Sequence, residues 1–405
     1  MKQREIQKAA GGFTRRQGLI ALAGGVAALS GCGGGGSIDV GSVGSGGTGS
    51  FSIGSISGFG SIIVNGVRYD ESKATITDDD GVARSAGDLK LGMVVAVTGS
   101  DVVGGTSRAS SIVVSSELRG AIENIGTQTL VVLGQTVRIG TGTIFEENIS
   151  GGLAGLAVGQ LIEVHGFVDP TTNQISATRI ERATTADTLK LEGPIQSLNG
   201  AAKTFVIGTV TISYAGLSAN AVPSNLANGL LVRVRLAPLP ATGTRNAVSV
   251  RSAARNVEDH GDAELEGTVT AFTSNSSFSV DGVPVNAGSA SFPNGTTGLK
   301  VGARVQVKGS ISNGVLVASS VQLETEDEAQ NHEIELHGSI SNLNISTKTF
   351  VIRGVTVSYA GSVRFSKGDA GTLALINGTS LIVEVTGTNN AVGNSVIALT
   401  ISFES

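Results

Sequence analysis

The sequence predicts an all-β protein, a tandem array of five small closed β-barrels behind an export segment and a glycine-rich tether. Three observations carry that reading. First, one phrase returns five times. It opens Gly-x-Ile/Val at Gly54, Gly120, Gly193, Gly267 and Gly338, a period of 66 to 74 residues. It continues 40 to 47 residues later at Val97–Gly99, Val164–Gly166, Val234–Leu236, Val307–Gly309 and Val385–Gly387, and closes on Ala-x-x-Ile/Val. A period that long lets each unit carry its own core, like beads on a string, unlike the thin layers of a solenoid. Second, the composition favours strands and turns. Of 405 residues 58 are Gly, Trp is absent, and charged residues make up only 15%. Third, short runs alternate apolar and polar residues between turn formers such as Asn65–Gly66, Asp281–Gly282 and Asn313–Gly314.

Residues 1–32 form a targeting segment that stands apart from the fold. A polar stretch with Arg15 and Arg16 leads into an apolar run from Leu19 to Leu29, too short for the roughly 20 residues that span a bilayer. Leu29–Ser30–Gly31–Cys32 resembles the lipobox of bacterial lipoproteins. The resemblance implies that Cys32, the single cysteine, is lipidated and becomes the mature N-terminus. Thr14-Arg-Arg-Gln-Gly-Leu19 is similar to a twin-arginine export signal, with Gly18 where that signal usually has an aromatic residue; an ordinary basic leader is the alternative. Gly33, in place of Asp after the cysteine, implies the outer membrane, on its periplasmic or surface face. Residues 33–51 are Gly/Ser-rich and read as a flexible tether.

The repeats follow at 52–116, 117–186, 187–257, 258–326 and 327–405. The fourth is the clearest. Leu265–Phe272, Ser277–Val280, Val283–Val285, Arg304–Gly309 and Val315–Leu323 are five short strands, most with one apolar and one polar face. Such strands must pack on a second sheet or close on themselves. Closure removes exposed edges, which favours a barrel over a sandwich. The third repeat departs most, since Leu236 replaces the second glycine and Pro238 and Pro240 follow it. The combination Leu-x-Gly-x-Ile, Phe-x-Val-x-Gly, Leu-x-x-Gly-x-x-Val-x-Val-x-Gly and Ala-x-x-Ile resembles the bacterial exported repeat known as domain of unknown function 5666. That resemblance implies OB-like barrels and lends no catalytic residue.

The recurring positions are glycine and branched aliphatics, which build folds and do no chemistry. Four histidines, at 165, 260, 332 and 337, have no nucleophile with a repeated acidic partner nearby, and His165 reads as solvent-facing on its strand. The expectation is a protein that is not an enzyme and carries no cofactor. Metal binding has only weak candidates in the acidic junctions: Asp259, His260 and Asp262, and Glu324 to Glu328 with His332, Glu333 and Glu335. Solvated charged linkers are the preferred reading of both junctions, and Asp78 to Gly81 is a natural hairpin turn.

Charge placement is more pointed. The overall charge is −5, yet residues 187–255 hold seven Lys/Arg and two Asp/Glu. Arg233 and Arg235 alternate with apolar residues, so both leave one face of a strand. Pairing with the strand of Val248 and Val250 adds Arg251 to that face, with Arg245 and Arg255 close by. The cluster suits an anionic glycan or lipid head group, or docks internally on Glu258 to Glu266. Nucleic acid is excluded as a partner by the export segment and the shortage of stacking aromatics. The functional expectation is a lipid-anchored envelope scaffold or spacer. A module that binds an anionic envelope polymer, or divalent cations at the junctions, is the second reading.

Overall fold

The computed structural model describes residues 49–183, 188–238, 243–255, 257–325, 333–390 and 395–404. Arg15, Arg16, Cys32, residues 1–48 generally and the junction residues 326–332 lie outside them. The first barrel contains β1 (Ser50–Phe59), β2 (Ile62–Val64), β3 (Val67–Asp70), β4 (Thr75–Asp78), β5 (Val94–Gly99) and β6 (Thr106–Ser115). The second contains β7 (Leu118–Ile125), β8 (Thr129–Val132), β9 (Gln135–Arg138), β10 (Ile144–Phe145), β11 (Leu161–Asp169) and β12 (Gln174–Arg182). The third contains β13 (Leu189–Pro194), β14 (Gln196–Asn199), β15 (Thr204–Ile207), β16 (Val210–Ser213), β17 (Leu231–Leu236) and β18 (Arg245–Ser252). The fourth contains β19 (His260–Ser274), β20 (Ser277–Val280), β21 (Val283–Asn286), β22 (Arg304–Ser312) and β23 (Val315–Leu323). The fifth contains β24 (Ile334–Asn344), β25 (Thr349–Ile352), β26 (Val355–Ser358), β27 (Arg364–Ser366), helix α1 (Ala370–Ile376), β28 (Ile382–Asn390) and β29 (Ser395–Phe403).

Each barrel closes by the same circuit. In the first, β1 pairs antiparallel with β2 and β5, β2 with β3 and β5 with β6, and the parallel pair β3–β6 completes the ring. The parallel closures elsewhere are β9–β12, β16–β18, β21–β23 and β26–β29. In the third barrel the opening strand is split into β13 and β14 around Ile195, which follows Pro194.

The recurring phrase is explained by this circuit. The second-landmark residue sits at a β-bulge on the fourth strand of the ring in all five barrels, and its partner across the ladder is the alanine of the third landmark. The pairs are Gly99↔Ala109, Gly166↔Ala177, Leu236↔Ala247, Gly309↔Ala318 and Gly387↔Ala398. A Cβ on Gly166, Gly309 or Gly387 would collide with a backbone carbonyl of the partner strand. Bulges bend a strand, and a ring this small needs that bend. The first glycine packs against the tip of the β2–β3-type hairpin, Gly54 against Asn65, Gly120 against Leu133 and Gly267 against Asp281. Both central residues of those three tips have positive φ, which a type I′ turn requires.

The expectation of separate beads is not met. The described residues form one unit. β1 runs parallel to β19 from Ser50↔Asp262 to Ile53↔Leu265, and to β24 at Gly58↔Glu335 and Phe59↔Leu336. β7 pairs with β13 at Leu118↔Leu191 and Arg119↔Lys190. The strands therefore merge into a 17-stranded network of barrels one, four and five and a 12-stranded network of barrels two and three. The cores merge with them: Ile56, Val97 and Ile112 share a cluster with Leu336, Phe350 and Ile401. The reason lies in β1, Ser-Phe-Ser-Ile-Gly-Ser-Ile-Ser-Gly-Phe. It carries no charge, and its small Ser and Gly residues let neighbouring strands approach on the side away from its own core. Ser50 and Phe51, assigned above to the tether, belong to this strand, and the Phe51 ring stacks on His260 with centroids 5.6 Å apart.

Candidate functional site

The richest concentration of polar side chains lines a cleft of about 250 Å³ between barrels one, two and three. Each barrel contributes by a simple rule. On the fourth strand of every ring, the residue before the bulge points away from its own core. In barrels two and three those residues are His165 and Arg235, and both line the cleft. Barrel one supplies the Asp78–Val82 turn. There the Asp78 carboxylate accepts from the backbone N–H of Asp80 at 3.1 Å and of Val82 at 2.9 Å, and Gly81 takes φ +84°. The hairpin-turn reading of Asp78 to Gly81 is thus correct, and the turn presents Asp79 and Asp80 to the third barrel.

Asp79 is ion-paired with Lys190, and Arg233 lies 3.3 Å from the same carboxylate. Arg233 also donates from Nε to Glu192 at 3.0 Å. Burial alone would raise the pKa of Asp79; Lys190 and Arg233 overcome it and hold the carboxyl below its ordinary value. Arg119 donates to Glu163 at 2.6 Å, and Ser116 donates to the other oxygen of that carboxylate at 2.6 Å. Glu163 titrates low against its burial because of His165 and Arg119. Glu181 is pushed down to about 2, again against burial, by neighbouring His165 and by Arg179, whose Nε donates to it at 2.7 Å.

His165 is not solvent-facing; only 2% of it is exposed. Strand alternation correctly places it outside its own barrel, but that outside is the junction with the neighbouring barrels. Its Nδ1 lies 2.6 Å from the Ser115 carbonyl oxygen, so Nδ1 carries the proton and donates. Its Nε2 is buried, sits 3.5 Å from Glu181 Oε2, and has no hydrogen-bond partner among the described residues.

The four candidate arginines of repeat three do not form one open face. Arg233 and Arg251 are ladder partners, as the alternation implied. Arg233, however, is closed off by Asp79 and Glu192, and Arg245 is only 9% exposed. Arg235 donates to the Thr188 hydroxyl at 2.9 Å and lies 3.6 Å from Asp80. Arg251 is exposed. The internal docking partner is the Asp79–Asp80 turn of barrel one, not the Glu258 to Glu266 junction.

That junction is used otherwise. Asp259 accepts from the Asn313 N–H at 2.6 Å, His260 stacks on Phe51, and Asp262 pairs in register with Ser50. In the second junction Glu335 is ion-paired with Arg68. Among the described residues no group of three or more His, Cys, Asp or Glu is placed to hold a metal ion.

The family model described as domain of unknown function (DUF5666) matches residues 52–113, 119–181 and 266–322. Those segments coincide with barrels one, two and four. Three of the five barrels thus match this family model. Barrels three and five, outside the matched segments, close by the same circuit, with the opening strand split and Leu236 in place of the bulge glycine in barrel three. No curated protein matches the chain.

What sequence reasoning missed is the convergence of His165, Asp79 and Arg235. One signal was present. The residue before the second landmark varies through Thr98, His165, Arg235, Lys308 and Thr386, polar in every repeat.

Proposed function

We propose that this is a non-enzymatic, lipid-anchored protein of the cell envelope whose five barrels act together as a scaffold or spacer. The observation that carries the reading is the welding of barrel one to barrels four and five through β1, because shared strands and cores make a rigid body. A scaffold needs that rigidity, and the recurring glycines are spent on bulges and turns that produce it. Anchoring rests on the lipobox ending at Cys32, and outer-membrane placement on Gly33. The anionic-polymer reading of the arginine face loses support, since Arg233 at its centre is engaged by Asp79 and Glu192.

Metabolic labelling with a radioactive fatty acid tests the anchor. Wild type should incorporate label into the outer-membrane fraction, and Cys32→Ala should incorporate none and become soluble in the periplasm. An unlabelled wild-type protein, or label that survives Cys32→Ala, ends this reading.

A further inference from the structure

The cleft between barrels one, two and three is more than a joint. A joint that only held barrels together would leave its ion pairs closed and its polar atoms paired. Here the walls keep unspent hydrogen-bonding capacity. A guanidinium has five N–H donors. Arg84 donates once to Asp78 at 3.1 Å and Arg119 once to Glu163 at 2.6 Å, and Arg235 donates to Thr188. The Arg84 and Arg235 side chains remain 40% and 36% exposed. Asp80 is held only loosely, its carboxylate 3.6 Å from Arg235. At the floor, buried His165 Nε2 has no hydrogen-bond partner among the described residues, with Glu181 Oε2 at 3.5 Å.

The charges decide the class of ligand. Six carboxylates and four Lys/Arg line the cleft. Each of the four Lys/Arg is paired with one of those carboxylates, Glu181 is paired with Arg179 behind the wall, and Asp88 accepts from the Ser85 N–H and hydroxyl. An ionic ligand entering such a site would find an opposing charge beside every attracting one, and among the described residues no set of three ligands is placed for a metal. A hydroxyl group, by contrast, both donates and accepts, so it matches alternating carboxylates and guanidiniums. It also meets His165 Nε2 in either protonation state, as donor to the neutral ring or acceptor from the imidazolium. Met93, Val82 and Val114 also line the cleft and give it apolar surface suited to the C–H face of a sugar ring. The volume of about 250 Å³ lies just under the range of about 300–1,000 Å³ typical of drug-sized ligands, which fits one ring.

We propose that this three-barrel cleft binds an uncharged, polyhydroxylated ligand, one sugar ring either free or as a unit of an envelope glycan. The site does not depend on the lipid anchor, so its failure would leave the anchoring reading untouched.

The test is titration of the folded chain, by calorimetry and ligand-observed magnetic resonance, with glucose, galactose and N-acetylglucosamine. Galacturonate, inorganic phosphate and putrescine serve as charged probes. An uncharged sugar should bind with a dissociation constant at or below the millimolar range, and its short oligomers should bind more tightly if the source is a glycan. Arg84→Ala, at an exposed position of the wall, and Asp80→Ala, at a half-buried one, should each weaken binding at least tenfold, with the melting temperature unchanged in Arg84→Ala. The proposal is overturned if none of the three sugars binds at about ten times the millimolar range. It is overturned equally if only a charged probe binds, or if sugar binding survives both substitutions.

Discussion

Gly166 and Ala177 are ladder partners at the bulge of barrel two, and the absent side chain of Gly166 is where the Ser176 carbonyl oxygen lies. The same pairing at Gly309↔Ala318 and Gly387↔Ala398 makes it the shared hinge of the ring. Gly166→Ala should therefore destabilise the protein by about 2 kcal/mol or more, since carbonyl and Cβ must separate by shifting the ladder. Gly200→Ala is the matched control. It has open space around its Cβ position and should change stability by no more than about 0.5 kcal/mol. Urea unfolding of both variants measures the contrast, and equal losses would refute it.

Asp79 bridges barrel one to Lys190 and Arg233 of barrel three, with 6% of its side chain exposed. Asp79→Asn leaves two buried cations facing a neutral amide, and loss of one partner of a buried pair costs about 3–5 kcal/mol. The same contact sets an acid limit. The folded-state pKa of Asp79 lies below 3.8, and that of Glu181 falls from 4.5 to about 2. A lowered carboxyl contributes stability that is present above its unfolded value and disappears as pH falls through its folded value. The melting temperature should thus fall as pH drops from about 4.5 towards 2, and less steeply in Asp79→Asn.

Asp281 behaves in the opposite sense. It sits at the hairpin tip of barrel four, where burial pushes its carboxyl up to about 6 although the Thr268 N–H donates to it and Arg304 and Arg255 lie near. The folded state then binds a proton that the unfolded chain gives up above 3.8, so stability falls as pH rises from 3.8 to about 6 and stays reduced above. Glu117, only 7% exposed, is pushed the same way by burial and by Glu192. Asp281→Asn keeps a residue suited to positive φ, as Asn65 is at the equivalent tip. It should stabilise the protein at pH 7 and flatten the melting-temperature profile between pH 4 and 6. An unaltered profile would show that Asp281 does not carry this effect.

The shared cores also make a statement about cooperativity. If barrels one, four and five share strands, and two and three share another network, they cannot melt one at a time. Scanning calorimetry should give one or two transitions whose calorimetric and van't Hoff enthalpies agree for those blocks. Five independent transitions would contradict the strand pairing.

The fold was legible because its determinants are local. Asn65–Gly66 and Asp281–Gly282 announce type I′ turns, strict alternation in Arg304–Gly309 announces a strand, and the five-fold phrase places each ring. Even the bulges left a trace, since a recurring glycine facing a recurring alanine is a backbone requirement written as composition. The site was legible only in fragments. Arg233 and Arg235 were correctly placed on the outward face of β17, and the Asp78–Gly81 turn was recognised. Their meeting was not visible, because 154 positions of chain separate Asp79 from Arg233.

Alternation with period two tells which side of a strand a residue leaves, and so the sequence by itself determined the barrels, their number and the inward set of aliphatics. What lies beyond the outward face is a matter of how barrels dock, and only the tertiary structure decided that. His165 is the clearest instance. Its strand directs it out of barrel two in either case, but the docking of barrels one and three turns that exterior into a buried floor, where one imidazole nitrogen has no hydrogen-bond partner among the described residues.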